Sequence, residues 1–263
     1  MEMGLRDKVA VITGGSIGIG LAVAKGLAAE GAHIVIVARD ALRLEAARAD
    51  IASLAEVRVI ALSCDVATSQ GVADVVAAVE REFGGADILV NNAGTGSNET
   101  IMEAPDEKWQ LYWNLHVMAA VRLARGFAPM MKRRGGGVIL NNASICAAQP
   151  LWYEPIYNVT KAALVMLSKT MATEFIKDNI RVNAVNPGFV LTPDWIKTAK
   201  QLTAGTGGDW QGYIDGLAKD NAPIGRFASP QEIADFFVFL CSSRASYSVG
   251  STYFIDGGML KTV

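Results

Sequence analysis

Tyr157 and Lys161 are the two residues of this chain whose types and spacing point most directly to chemistry. Residues four apart lie on one face of a helix, so the helix predicted for residues 157–177 holds the phenol beside the ammonium group. The positive charge favours the phenolate and lowers the pKa of the tyrosine. The phenol can then exchange a proton with an alcohol or ketone oxygen. The alternative is a surface tyrosine and lysine that share helical spacing by chance.

Tyr153 is a second tyrosine in the same stretch, YEPIYNVTK (residues 153–161). Pro155 lies between the two tyrosines, and proline is tolerated in the first turn of a helix but not deeper, so the helix is expected to begin close to it. Tyr157 then lies inside the helix, one turn before the lysine. Tyr153 lies in the preceding loop with Trp152, where both can contact a substrate.

A glycine-rich stretch, TGGSIGIG (residues 13–20), joins a predicted strand to a predicted helix. Gly14 permits the tight turn, Gly18 lets backbone N–H groups approach a pyrophosphate, and Gly20 lets the helix pack closely on the strand. The positive end of the helix then faces the phosphates. In a first βα unit this pattern predicts a dinucleotide cofactor. The cofactor-binding residues predicted from it are Gly14, Ser16, Ile17, Gly18, Ile19 and Gly20.

The end of the second predicted strand bears on the choice between NAD and NADP. NAD binding calls for an acidic residue that holds the ribose hydroxyls, whereas the sequence there is Ala38-Arg39-Asp40. Arg39 offers a planar cation suited to a 2′-phosphate, so NADP is predicted. The alternative is that Asp40 takes the ribose and the cofactor is NAD.

Polar residues and glycines follow other strands too. Asp65 and Val66 follow the third predicted strand, and NNAG (residues 91–94) follows the fourth. Such residues often form plain turns, but their repetition at successive carboxyl ends favours a shared ligand. The residues expected to meet the cofactor at the third and fourth strands are Asp65, Val66, Asn92, Ala93 and Gly94.

Short apolar runs rich in β-branched residues alternate with longer amphipathic segments along the chain. The runs cover residues 9–13, 33–38, 57–62, 87–91, 137–141, 181–185 and 251–256, and the predicted helices cover 19–30, 40–53, 68–83, 105–132, 157–177 and 230–241. Continuous hydrophobicity indicates strands that are covered on both faces. The prediction is an α/β fold: one Rossmann-type domain over residues 1–263, with a doubly wound parallel β-sheet and helices on both faces.

Residues 198–221 break this alternation and mix glycine with tryptophan and tyrosine. An insertion at the carboxyl side of such a sheet borders the ligand crevice, so the segment is predicted to be a substrate lid. An ordinary pair of surface helices is the alternative.

The composition argues against several other classes of protein. The chain is 51% apolar and 19% charged with a net charge of −2, which gives no reason to expect nucleic acid or acidic lipid as a partner. Three scattered cysteines lack the spacing of a metal site or a disulfide framework, so no metal is expected. No apolar stretch is long enough to cross a bilayer. A cytoplasmic protein is expected.

Taken in order, TGGSIGIG, NNAG, Ser144, YNVTK and NPGFVLT (residues 186–192) resemble the motifs of the classical short-chain dehydrogenase/reductases over essentially the whole chain. The resemblance implies a nicotinamide cofactor, hydride exchange with a small-molecule alcohol or carbonyl substrate, and usually a homotetramer. It implies that Ser144 bonds the substrate oxygen and that Lys161 also holds the nicotinamide ribose. The cofactor-binding residues of the later motifs are then Tyr157, Lys161, Pro187, Gly188, Val190 and Thr192.

Family members often carry an asparagine in the fourth helix that supports a water connected to the lysine. Asn114 is the apparent candidate, but the register from Trp109 and from the segment AVRL (residues 120–123) leads to His116 instead. Residues two apart on a helix point to different sides, so only one of the two can face the site. His116 is therefore predicted at the asparagine's place, where it either shuttles protons or is a buried structural histidine.

The leading functional hypothesis is an NADP-dependent secondary-alcohol dehydrogenase or ketone reductase. Its predicted catalytic residues are Ser144, Tyr157, Lys161 and His116. An NAD-dependent sugar or polyol dehydrogenase is the alternative enzyme, and a non-catalytic dinucleotide-sensing regulator is the alternative outside catalysis. The residues predicted to contact the substrate are Ser144, Trp152, Tyr153, Tyr157, Phe189 and Trp195, whose aromatic character favours a ring or an apolar chain.

Overall fold

Seven parallel strands form a single sheet in the order β3-β2-β1-β4-β5-β6-β7. The computed structural model describes residues 2–96, 98–151, 153–205 and 207–262. The strands are β1 (Val9–Thr13), β2 (His33–Ala38), β3 (Val59–Ser63), β4 (Ile88–Asn91), β5 (Gly137–Asn142), β6 (Ile180–Pro187) and β7 (Thr252–Ile255). The strand order reverses between β1 and β4, which is where a doubly wound sheet opens a ligand crevice.

Helices connect the strands. They are α1 (Gly18–Ala29), α2 (Ala41–Ala52), α3 (Ser69–Phe83), α4 (Asp106–Tyr112), α5 (Ala119–Arg133), α6 (Pro155–Phe175), α7 (Pro193–Thr203), α8 (Trp210–Asn221) and α9 (Pro230–Cys241). A π-helix, Trp113–Met118, joins α4 to α5 without a break. No helix within the described ranges is both long and apolar enough to pass through a bilayer.

The sheet is covered on both faces, because successive residues of each strand point in opposite directions. Ile12 of β1 belongs to an apolar cluster with Val23 of α1 and Phe237 of α9. Val11, the neighbour of Ile12, belongs to a second cluster with Phe127 of α5 and with residues of α3 and α6. The predicted fold, a doubly wound parallel sheet with helices on both faces, is confirmed.

The segment predicted to be a lid, residues 198–221, forms the second half of α7 and the whole of α8. The two helices pack on each other through Ala199, Ile214 and Ala218, which are buried. The segment is therefore a helix pair in structure, and its action as a lid stays a prediction.

Candidate active site

The start of α6 brings Tyr157 and Lys161 onto one face. Pro155 is the first residue of the helix, as its lack of an N–H predicts, so Tyr157 lies inside the first turn. The Lys161 Nζ lies 5.3 Å from the centroid of the Tyr157 ring and donates a 2.7 Å hydrogen bond to the Asn142 carbonyl oxygen. That bond ties the amine to the carboxyl end of β5, from which Ser144 follows.

Burial governs the protonation of this pair. It raises the pKa of the Tyr157 phenol well above its ordinary value, and a hydrogen bond with Ser144 opposes this only in part. Burial likewise lowers the pKa of Lys161 to about 8. The sequence predicted a lowered phenol pKa. The chain's own groups give the opposite direction, because desolvation of the phenolate is the largest cause and the nearby Cys146 and Glu154 add to it.

His116, rather than Asn114, lies beside Tyr157. The His116 ring meets the Tyr157 ring edge-on with centroids 5.6 Å apart, and its Nδ1 is 2.8 Å from the Thr160 Oγ1. Asn114 is half-buried and instead accepts a 3.3 Å hydrogen bond from Arg122. Burial, aided by the charge of Lys161, holds the pKa of His116 well below its ordinary value, so the imidazole is neutral at pH 7.

The glycine loop has the shape that a pyrophosphate requires. Gly14 and Gly18 have φ values of +64° and +59°, which side chains of other residues rarely allow. A Cβ at Gly20 would overlap the Gly14 carbonyl oxygen, so only glycine permits the close approach of α1 to β1. No side chain caps the first turn of α1, whose N-cap residue is Ile17, and its free N–H groups suit an anion. The loop therefore fits a dinucleotide.

The strand ends predicted to meet the cofactor play partly structural roles. The Thr13 Oγ1 accepts 3.0 Å hydrogen bonds from the backbone N–H groups of Asn92 and Ala93. The Asn92 side chain donates to the Thr13 and Gly14 carbonyl oxygens, which braces the glycine loop. The Asp65 carboxylate accepts from the Ala67 N–H in its own turn.

Arg39 and Asp40 have different surroundings at the end of β2. The Asp40 carboxylate caps α2 by accepting from the Arg43 N–H at 3.0 Å, and it pairs with the Arg43 side chain at 3.2 Å. Arg39 is exposed, and no acidic side chain in the described part of the chain pairs with it. The guanidinium of Arg39 is thus the available group, whereas Asp40 is already engaged.

The turn after β6 lies between the glycine loop and α7. Thr192 caps α7 by accepting from the Trp195 N–H, and its Cγ2 is 3.4 Å from where a Cβ of Gly18 would lie. Val190, two residues earlier, is buried. Gly188 leaves room for Met259, whose Sδ would be 2.8 Å from a Cβ at that position.

Of the predicted substrate residues, Phe189 and Trp195 mainly contact each other and Phe227. The Phe189 ring stacks on the Phe227 ring at 4.8 Å, and the Trp195 ring meets both rings edge-on. Phe189 also borders the cluster that contains Tyr157 and Cys146. Tyr153 is half-buried in the loop before α6, and Trp152 lies outside the described residues.

A family model described as enoyl-(acyl carrier protein) reductase matches residues 14–260. Dehydrogenase/reductase SDR family member 4 of Oryctolagus cuniculus is 36% identical over 260 residues, covering 97% of this chain and 94% of that protein. The chain belongs to the short-chain dehydrogenase/reductase family. Galactitol 2-dehydrogenase of Agrobacterium fabrum is a further relative, 34% identical over 261 residues, or 97% of this chain and 98% of the relative.

Two solved structures are similar over at least 98% of the chain. L-Sorbose reductase from Gluconobacter frateurii, in complex with NADPH and L-sorbose, is 69% identical with a TM-score of 0.99, and the match covers 100% of both chains. YwfH, an NADPH-dependent reductase involved in bacilysin biosynthesis, is 28% identical with a TM-score of 0.89, covering 98% of this chain and 100% of that chain.

Glu154 is a residue of this short-chain dehydrogenase/reductase that the sequence analysis missed. It directly precedes α6, and burial together with the charge of Glu99 raises its pKa to about 7. Its charge reaches Tyr157, Tyr153 and Cys146, whose pKa values it helps to raise. The signal in the sequence was a carboxylate placed between two candidate site residues.

Proposed function

We propose that this protein is an NADP(H)-dependent reductase that converts a small polyhydroxylated ketone to the secondary alcohol, reversibly, at Ser144, Tyr157 and Lys161. The observation that carries the proposal is a half-buried phenol, between a buried serine hydroxyl and a buried amine, that keeps its proton at pH 7. A protonated phenol suits the donor in carbonyl reduction.

NADPH supplies the hydride when it is bound. The glycine loop with the uncapped start of α1 would hold the pyrophosphate, and Arg39 would pair with the 2′-phosphate. The carboxyl ends of β3 and β4, and the segment from Pro187 to Thr192, complete this side of the site. The NADPH complex of the sorbose reductase, at 69% identity, supports this choice over NAD.

The chain's own catalytic groups act on the substrate oxygen. The Ser144 hydroxyl orients the carbonyl oxygen, and Tyr157 donates its proton to that oxygen as the alcohol forms. Lys161, held by the Asn142 carbonyl, stabilises the phenolate that remains. His116 occupies the position beside this pair and accepts a hydrogen bond there.

A polyhydroxylated substrate is favoured over an apolar one by Glu154. A half-buried carboxyl that borders Tyr153 and Tyr157 can accept hydrogen bonds from hydroxyl groups, and it would be costly beside an apolar ligand. L-Sorbose and galactitol, the compounds named for two relatives, are both polyhydroxylated.

A homotetramer is the proposed assembly. Besides the family resemblance, it is supported by apolar side chains on the outside of α6 and the π-helix: Val159, Met166 and Trp113 are exposed. The cytoplasmic location expected from the sequence stays a prediction.

The test compares initial rates with NADPH and NADH, using L-sorbose and a panel of ketoses and apolar ketones. We expect NADPH to be preferred, ketoses to be reduced fastest, and Arg39→Ala to raise the KM for NADPH without affecting that for NADH. Arg43→Ala, a change of an exposed arginine already paired with Asp40, is the matched control. Preference for NADH would favour the NAD-dependent polyol dehydrogenase. NADPH binding without turnover across the panel would favour the regulator.

A further inference from the structure

Thr160 sits in α6 between Tyr157 and Lys161 and is completely buried, with 0% of its surface exposed. Its Oγ1 lies 2.8 Å from the His116 Nδ1 and 2.8 Å from the Ile156 carbonyl oxygen, one turn back in the helix. The hydroxyl is thus shared between a helix carbonyl and the imidazole.

The available protons fix the direction of these bonds. A hydroxyl has one proton to donate, and the Thr160 hydroxyl has two carbonyl acceptors in its own helix, Ile156 at 2.8 Å and Tyr157 at 3.2 Å, to which that proton can go. The Thr160 oxygen then accepts from His116, which places the imidazole proton on Nδ1. The other edge of the ring agrees independently, because the Thr95 N–H donates to Nε2 at 3.3 Å and needs a lone pair there.

We propose that Thr160 is a positioning residue that holds His116 in the neutral Nδ1–H tautomer, so that Nε2 lies on the side of Lys161 and accepts there from the Thr95 N–H. Gly94 marks this side: a Cβ there would lie 3.2 Å from the His116 Nε2 and 3.6 Å from the Lys161 Nζ. The proposal rests on the role given to His116 in the proposed function.

The consequence is that His116 can interact with the site only through its Nε2. Its Nδ1 leads through Thr160 to a helix carbonyl, which takes up no proton, so no proton leaves the site by that route. Burial keeps the pKa of the ring well below its ordinary value, and the ring stays neutral. His116 therefore accepts a hydrogen bond at Nε2, from the Thr95 N–H, and does not pass protons through its ring.

Nitrogen NMR of protein labelled at histidine measures the tautomer directly, because proton–nitrogen couplings distinguish the protonated ring nitrogen from the bare one. The chain has two histidines, and His33 is an internal control. The His33 Nδ1 accepts from the Arg58 N–H at 3.2 Å, so its proton is expected on Nε2, opposite to His116. Finding the His116 proton on Nε2 in the unaltered protein would overturn the proposal.

Variants test whether Thr160 is what holds His116 in the Nδ1–H tautomer. Thr160→Val keeps the shape but removes the acceptor, so we expect loss of the pure Nδ1–H tautomer and a roughly tenfold lower kcat, with little change in the KM for NADPH. Thr160→Ser should restore both. Thr173→Val removes an equivalent hydroxyl bond from an exposed position on α6 and should change neither. An unchanged His116 tautomer in a folded Thr160→Val protein would refute the proposal. Full activity of His116→Asn with an unchanged pH–rate profile would instead refute the role of His116 in the proposed function.

Discussion

Burial sets the protonation of the side chains around Tyr157. It raises the pKa of the phenol, raises that of Glu154 to about 7, lowers that of Lys161 to about 8 and lowers that of His116. Each shift favours the neutral form, as expected where water is excluded. At pH 7 the Tyr157 phenol and the His116 imidazole are therefore neutral, whereas Lys161, with a pKa of about 8, still carries its charge beside the phenol.

Replacing Tyr157 and Tyr153 in turn distinguishes the proton donor from the substrate contact. Tyr157→Phe removes the proton donor, so we expect kcat to fall roughly a hundredfold to ten-thousandfold while the Kd for NADPH, measured by fluorescence titration, is nearly unchanged. Tyr153→Phe should mainly change the KM ratio between ketoses. If the two variants exchange these effects, the assignment of the proton donor is wrong.

Glu154 should make stability depend on pH. In the folded protein the pKa of Glu154 is about 7, above its ordinary value of 4.5. The contribution of this carboxyl to stability is therefore fully present below pH 4.5 and is lost as the pH rises through 7. Glu154→Gln removes the titration. We expect the free energy of unfolding of the variant, relative to that of the unaltered protein, to rise by up to about 3 kcal/mol as the pH goes from acidic to mildly alkaline. Urea unfolding at each pH measures this difference. Glu107→Gln, at an exposed position of α4, should show no such gain. Parallel pH curves for Glu154→Gln and the unaltered protein would contradict the shift.

The π-helix Trp113–Met118 presents His116, rather than Asn114, to α6. It turns His116 towards Tyr157 and Thr160, and Asn114 towards Arg122. Single π turns inside α-helices are frequently found at functional sites. The π-helix thus places the His116 imidazole, rather than the Asn114 amide, on the side of Lys161, and it is continuous with α4 and α5.

The helix pair α7–α8 is anchored by aromatic rings. Phe227 is buried and contacts both Phe189 and Trp195. We expect Phe227→Ala to cost about 3–5 kcal/mol in the free energy of unfolding and to raise the ketose KM more than it lowers kcat. Leu202→Ala, an exposed position of α7, is the control and should change both by little. A reduced kcat with an unchanged KM would show that the pair does not act on substrate binding.

The sequence predicted those elements whose signals are local. The bounds of β1 and β2 follow from their apolar runs, and the start of α6 follows from Pro155. The π-helix was not predicted, because no proline or glycine marks it within the expected helix 105–132. Contacts between distant residues were also missed: Gln149 bonds the Met259 carbonyl across 110 positions, and Glu154 owes its pKa to burial that only the folded chain creates.

The outer surface of the molecule carries apolar residues where α6 faces outward. Met166 is 68% exposed and Val159 48% exposed. In the proposed homotetramer these side chains are buried between subunits, since patches of this kind often mark protein interfaces. We expect Met166→Glu to shift the protein from tetramer towards smaller species in analytical ultracentrifugation. Leu42→Glu, at an 86% exposed position of α2, should leave the mass unchanged. If Met166→Glu remains a tetramer, this face of α6 is not a subunit interface.

The residues that follow β7 close the catalytic side of the molecule. The Gln149 side chain bonds the Met259 carbonyl and the Lys261 N–H, the Asp256 carboxylate accepts from Gly258 and Leu260, and Met259 packs beside Cys146 and Tyr157. The pocket beside Tyr157 is therefore closed by contacts between residues more than a hundred positions apart in the chain, and it forms only when the segment after β7 has packed against Gln149 and Cys146.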